Sequence, residues 1–445
     1  MLDPRLVLLV LCLYMGGLLL VALWAERRSA HAPSPAGHPV VYSLSLAVYC
    51  TAWTYYGSVG QAANNGILFL PIYLGPTLVF LLGWTLIRKM VRLKTAHRLT
   101  SVADFIASRY NRSQLLAAMV TLAAVVGIIP YIALQLKAIV ATFELITGAS
   151  ARPLMGAVPE SAEWPAISTV AALGKETWLS EHVGLIVGVL IVIFTIVLGL
   201  RRLDASERHE GMIAALAVEC VVKLVAFLIV GVFVSFVLFG GLGDLFERLR
   251  ESPFAAGMRA WEMRPSAPWQ WLSYLILSMS AVLFLPRQYH VAVVENGDES
   301  HIRTAMWLFP LYMLLINIFV IPIAAAGLLL GYAPQQADMF VLLLPMGHGE
   351  RWLSLLVFLG GFSAAFGMLM ISSVAISIMV TNHLLLPLIQ RVPSLEGLKG
   401  HILQCRWAVV VLVVLTGYGF AVRVGGSTRT TTAHLDLVLL QGLQF

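Results

Sequence analysis

Charged residues are scarce in this chain. Asp, Glu, Lys and Arg make up 12% of its 445 residues, against about 25% in a soluble domain. That scarcity excludes the solvated surface of a soluble enzyme and the composition of a disordered polyelectrolyte. Cysteine is scarce too. Cys12, Cys50, Cys220 and Cys405 each sit in or beside an apolar run. They form no C-x-x-C pair and no Cys/His metal spacing, so a disulfide scaffold is excluded and small packing residues are expected. No phosphate-binding loop, catalytic triad or metal-ligand motif stands in the sequence, nor any short-period repeat. The expectation is no cofactor, no resident metal and no catalytic residue in this chain.

Apolar residues are what the chain has, at 59% with a mean hydropathy of +0.86. One buried core cannot absorb that much over this length. The solvent itself must be apolar, which makes this an all-α polytopic membrane protein in a lipid bilayer. The net charge of +6 then belongs to loops rather than to a nucleic-acid footprint. Ten complete apolar segments have helical length: 5–24, 40–61, 66–88, 115–147, 183–200, 209–240, 269–290, 304–331, 352–389 and 403–424. An eleventh opens near residue 434 and reaches Phe445 without a polar stop, so a chain cut within that helix is expected. The runs do not alternate in polarity, which sets aside β-barrel strands. The first segment lacks an A-x-A cleavage site and reads as a retained helix rather than a signal peptide.

Lysine and arginine orient such a bundle. With the N-terminus outside, the greater share of the 29 basic residues falls in inner loops, among them Arg27, Arg28, Arg88, Lys89, Arg92, Lys94, Arg287 and Arg303. The longer loops 148–182 and 241–268 are then external, while 88–114 and 391–402 are cytoplasmic.

Polar residues inside lipid are costly and carry most of the functional information. The second segment runs through Tyr49, Cys50, Thr51, Trp53, Thr54, Tyr55, Tyr56, Gly57 and Ser58. Hydroxyls with a glycine suit either a broken helix that offers backbone carbonyls to a ligand or close small-residue packing. Ser278 and Ser280 precede Pro286 in the seventh segment, and that proline marks a kink or an exit from the membrane. Tyr49, Thr51, Trp53, Tyr55 and Ser278 are the candidate substrate-binding residues, expected to face a central cavity. Glu219 and Lys223 lie four apart on one helix, in the favourable order for an ion pair, about 18 Å from the helix entry. Two readings stand for them: a structural bridge, or a proton-linked coupling pair.

Several stretches are familiar. Ser43 to Gly57 resembles the broken first core helix of sodium/solute symporters. Thr100, Asp104, Phe105, Arg109 and Tyr110 look like that family's T-x-x-[DE]-F…R-Y segment. Pro130-Tyr131-Ile132-Ala133-Leu134-Gln135 and Leu285-Pro286-Arg287-Gln288-Tyr289-His290 are similar to the symporter-like sensory halves of CbrA-type bacterial sensor histidine kinases. The resemblance implies a LeuT-type inverted-repeat fold. Residues 1–39 would hold one extra N-terminal helix, 40–240 the first five-helix repeat, and 268–445 a second repeat incomplete in the eleventh helix. It implies a multi-pass protein of the bacterial inner membrane that binds a small solute, an amino acid with histidine suspected. Occupancy would pass to a cytoplasmic kinase domain and a response regulator. The alternative is a free-standing secondary transporter. The family's sodium site would fall on Ala47, Cys50, Ala364, Gly367 and Met368. Gly367 and Met368 offer no hard oxygen side chain, so sodium-independent function is expected, with Glu219 and Lys223 as the ion-coupling candidates.

Overall fold

The computed structural model describes residues 2–29, 34–148, 178–201, 209–259 and 262–427. Every regular element among them is helical. The long helices are α1 (Pro4–Ser29), α4 (Gln114–Thr147), α5 (Trp178–Gly199), α6 (Glu210–Leu238), α8 (His301–Leu329), α9 (Arg351–Arg391) and α10 (Ile402–Ser427). Between them run α2 (39–65), α3 (66–97) and α7 (267–294), each assembled from shorter pieces. The loop expected at 148–182 and the eleventh helix lie outside the described residues, save Gly148 and the opening of α5 at 178–182.

The outer surface is apolar. Leu9, Leu13 and Leu20 on α1, Leu115, Met119, Leu122 and Val126 on α4, and Leu412 and Leu415 on α10 are all exposed. Among the described residues eight helices are long and apolar enough to cross a bilayer, and exposed leucine rows on them are favourable only in lipid. The chain is a multi-pass membrane protein. In contrast, almost every side chain of α9 from Val357 to Met379 is buried, which puts α9 at the centre of the bundle.

Local chemistry sets the helix ends. Ser113 caps α4 by accepting from Leu116 N, and Gly148 closes it at φ 75°, a left-handed position that costs glycine least. Gly241, at φ 120°, makes the turn after α6. The loop beyond it holds two short helices, Leu242–Glu251 and Phe254–Arg259. Apolar run length anticipates each span to within a few residues, but α3 is longer than its run. It continues to His97 because Arg88 and Arg92 leave the apolar region and bind Glu299 at 2.9 and 2.6 Å. A hydropathy run measures lipid thickness, not helix length.

The interior is sewn by hydroxyl-to-carbonyl bonds. Tyr42 of α2 donates to Ala292 O of α7 at 2.7 Å, and Tyr312 of α8 donates to Cys220 O of α6 at 2.7 Å. Tyr14 of α1 donates to Ser363 of α9, and Ser363 donates to Glu219 O of α6. Polar side chains that cross between helices in this way hold a bundle together where lipid supplies no hydrophobic drive for association.

Candidate solute and ion site at the helix breaks

Two of the described helices, α2 and α7, are broken by a residue in extended geometry. In α2 the first half ends at Tyr49, Cys50 leaves helical geometry at ψ 104°, and the second half starts at Trp53. In α7 the helix stops at Phe284, Leu285 is extended at ψ 129°, and Pro286 starts the second half. Proline can occupy that first position because its missing N–H would lack a helical partner anyway. Each break leaves peptide groups that need partners other than their own helix.

At the α2 break the partner is a lysine. Lys223 of α6 donates from Nζ to Ala47 O at 2.8 Å and to Cys50 O at 2.7 Å. Only 3% of its surface is exposed. Glu219, one turn earlier, is 1% exposed, and its Oε1 has no hydrogen-bond partner. Its other oxygen lies directly against Gly367 of α9, where any Cβ would collide with it. Ala364 and Met368 are buried on the same helix. Two of the carbonyls on which the family's sodium site would fall therefore hold an ammonium. The space for a hydroxyl side chain at position 367 is filled by a carboxylate from α6. The ammonium is spent on carbonyls rather than on an ion pair with Glu219.

At the α7 break stands Arg287, 3% exposed. Its guanidinium lies over the Tyr131 ring, with Cζ 4.6 Å from the centroid, and makes a long 3.5 Å contact to the Tyr131 hydroxyl. Its Nε and Nη1 have no partner. Tyr131 in turn shares a 2.7 Å hydrogen bond with Thr51. Gln135, one turn along α4, accepts from Ala52 N at 3.0 Å, and Gln288 of α7 donates to Leu46 O at 3.1 Å. Thus α2, α4 and α7 meet in one buried polar centre.

The residues expected around the solute are placed as follows. Thr51 joins the Tyr131 hydroxyl. Tyr49 donates to Ile72 O of α3 at 2.8 Å. Trp53 is half-buried and stacked on Tyr73 at 6.2 Å. Tyr55 sits between Tyr56 and Phe227, its hydroxyl against Gly360 of α9. Ser278 donates to Pro71 O and Leu275 O, pressed onto Gly75 of α3. Thr51 alone of the five is hydrogen-bonded into the network that reaches Arg287. Tyr131, Gln135, Arg287 and Gln288 lie in motifs that carry the resemblance, yet no ligand role attaches to them from the sequence. Arg287 counts there as a loop charge. The readable signal is an arginine directly after a proline still flanked by apolar sequence.

Beyond the end of α7, Glu295 accepts from His209 N at 2.8 and 3.0 Å, from His209 Nδ1 at 2.9 Å and from His290 Nε2 at 3.2 Å. Burial alone would raise its pKa. The hydrogen bonds and charges of His209 and His290 outweigh that and hold the carboxyl down at about 2. These three donor atoms lie within 4.8 Å of one another, close enough to take a metal ion, and here they form a closed hydrogen-bonded cluster that ties α7 to the start of α6.

No family model matches the chain. A sodium-coupled sialic acid symporter, solved substrate-bound and outward-open, matches with a TM-score of 0.66 and 14% identity, over 100% of this chain and 85% of that one. The chain shares the LeuT-type fold of that symporter. Two Bacillus subtilis (strain 168) proteins, each described as an uncharacterized symporter, are similar in sequence. YhjB is 23% identical over 293 residues, covering 66% of this chain and 52% of the relative. YodF is 31% identical over 109 residues, covering 24% of this chain and 22% of the relative. The chain thus spans about half the length of the first relative and less of the second.

Proposed function

We propose that this chain is a symporter-like solute-binding module of the bacterial inner membrane, with its N-terminus outside, and that it works without sodium. Its repeats are α2–α6 and the helices from α7 onward, and a small nutrient, an amino acid such as histidine, binds between the breaks of α2 and α7. In the signalling form of this reading, occupancy passes to a cytoplasmic kinase and its response regulator. The similarity to two symporters supports the second form, a free-standing carrier.

The observation that carries the reading is the Lys223 ammonium on the Ala47 and Cys50 carbonyls. A half-helix end inside a membrane bundle is where such folds gather a coupling cation. Here the chain brings its own. A tethered cation cannot leave, so coupling must come from gain and loss of a proton, and Glu219 beside it is the group to exchange one.

The test is uptake of radiolabelled L-histidine into liposomes holding the full chain. Uptake should be equal in sodium and choline media at fixed pH, should rise with an inward proton gradient, and should collapse with a protonophore. Glu219→Gln should remove the proton response and leave L-histidine binding within a few fold. Uptake that climbs with sodium and ignores the protonophore would refute the coupling. Absence of binding for every amino acid would refute the amino-acid substrate.

A further inference from the structure

Arg287 poses a problem that the fold alone does not solve. Among the described residues no Asp or Glu forms an ion pair with it, and two of its three nitrogens have no hydrogen-bond partner. A permanently charged guanidinium cannot escape by losing its proton. Held 3% exposed in the interior of a membrane bundle, it carries the full cost of a buried charge, with only a tyrosine face and one long hydrogen bond against that cost. A lysine-like escape to water is closed as well, since Arg287 sits at the internal break of α7 and not at a helix end that reaches the surface.

Its neighbours show the same pattern. Gln135 uses its oxygen on Ala52 N and leaves Nε2 without a partner. Gln288 uses its nitrogen on Leu46 O and leaves Oε1 without one. Each amide is oriented by one bond to the broken α2 and keeps its other polar atom open. Buried polar atoms are nearly always paired, so one guanidinium and two amides with open atoms where the breaks of α2 and α7 meet mark a place that a polar ligand completes.

We propose that Arg287 is the anchor for the carboxylate of a small solute, with Tyr131 holding the guanidinium plane and Gln135 and Gln288 reading the solute's remaining polar groups. The inference rests on the solute-binding reading above and adds the residues that hold the solute's carboxylate and polar groups. The planar fork of Nε and the terminal nitrogens matches a carboxylate's two oxygens. A monoanion fits better than a phosphate dianion, because the nearby cation, Lys223, is already committed to backbone carbonyls. An open donor on Gln135 and an open acceptor on Gln288 suit a solute with polar groups of both kinds, as an α-amino acid has. When the solute binds, its charge pairs with Arg287 between α2, α4 and α7, and the two interrupted helices gain a common ligand.

The experiment is a thermal-shift and binding titration on the full chain in nanodiscs. The probes are the proteinogenic L-amino acids, their C-terminal amides and a set of uncharged sugars. One or more free acids should raise the melting midpoint, and the matching amides should not. Arg287→Met should weaken the active acid about 30-fold or more, the scale for truncating one side of a buried charge pair. Arg287→Lys should recover part of the affinity, and both variants should still melt cooperatively. Equal binding of an acid and its amide, or a sugar bound with unchanged affinity by Arg287→Met, would overturn the assignment while leaving solute binding intact. No binding by any probe would remove the solute-binding reading and this inference with it.

Discussion

Two cations are buried beside two helix breaks, and they are treated in opposite ways. Lys223 reaches the α2 break from a neighbouring helix and donates to two carbonyls that the break set free. Arg287 is part of the α7 break itself and keeps two nitrogens open. The first cation completes the protein's own backbone. The second is complete only with something added. A buried charge is therefore not one kind of feature. Counting the donors it has left over separates a part of the scaffold from a part of a binding site.

The largest effect expected from this comparison is at Lys223. Lys223→Met strips the cation from Ala47 O and Cys50 O and leaves Glu219 as a buried acid with no cation nearby. Breaking one side of a buried charged cluster costs about 3–5 kcal/mol. Chemical denaturation of the purified chain in detergent should show a loss of that size. Glu219→Gln added to Lys223→Met should restore part of it, which a double-mutant cycle reads directly. If Lys223→Met proved no less stable than the native chain, the ammonium would not be a structural cation and the contrast with Arg287 would vanish.

A smaller effect concerns Glu295, a buried carboxylate whose partners are all in place. Its carboxyl is held at about 2 against an ordinary value of 4.5. A depressed acid stabilises the fold above its unfolded value, and the contribution is lost as pH falls through the folded one. The chain should thus lose roughly 3 kcal/mol between about pH 4.5 and pH 2 on account of Glu295. Glu295→Gln should remove that acid-range slope while leaving other carboxyls to titrate. Melting curves taken down the pH range in chelator-containing buffer measure it, and an unchanged slope in the variant would show that the cluster does not hold the end of α7.

Much of the fold is legible in the sequence because lipid imposes a length. Segments 115–147 and 352–389 lie within a residue or two of Gln114–Thr147 and Arg351–Arg391. The site is less legible, because three cations in apolar runs look alike as letters. Lys137 proves exposed, Lys223 is satisfied by backbone, and Arg287 is buried and open. Those fates depend on which helix faces each side chain, and no period along one helix reports its neighbours. The i, i+4 spacing of Glu219 and Lys223 is likewise real, but Ala47 and Cys50, distant in sequence, compete for the ammonium. Gly367 reads in sequence as a missing ion ligand, and only packing shows that Glu219 occupies its side-chain space.

The smallest effect expected has the opposite sign, and it sharpens the comparison most. If Arg287 is kept for a ligand, the unliganded protein bears its cost. Arg287→Met retains a long flexible chain over the Tyr131 ring and removes the charge together with two unpartnered donors. Replacing costly buried charge with an apolar side chain of similar reach is neutral or stabilising, here by about 1–2 kcal/mol. Lost contact with Tyr131 offsets some or all of that gain, since a cation–π pair is worth about 0.5–2 kcal/mol. The expected outcome is a variant that unfolds at or slightly above the native denaturant midpoint and binds no carboxylate solute. Lys223→Met must fall well below that midpoint in the same assay. A stability loss at Arg287 as large as that at Lys223 would mean the guanidinium has partners in the solution structure. It would then be a second scaffold cation, and the carboxylate would have to be sought elsewhere along the two breaks.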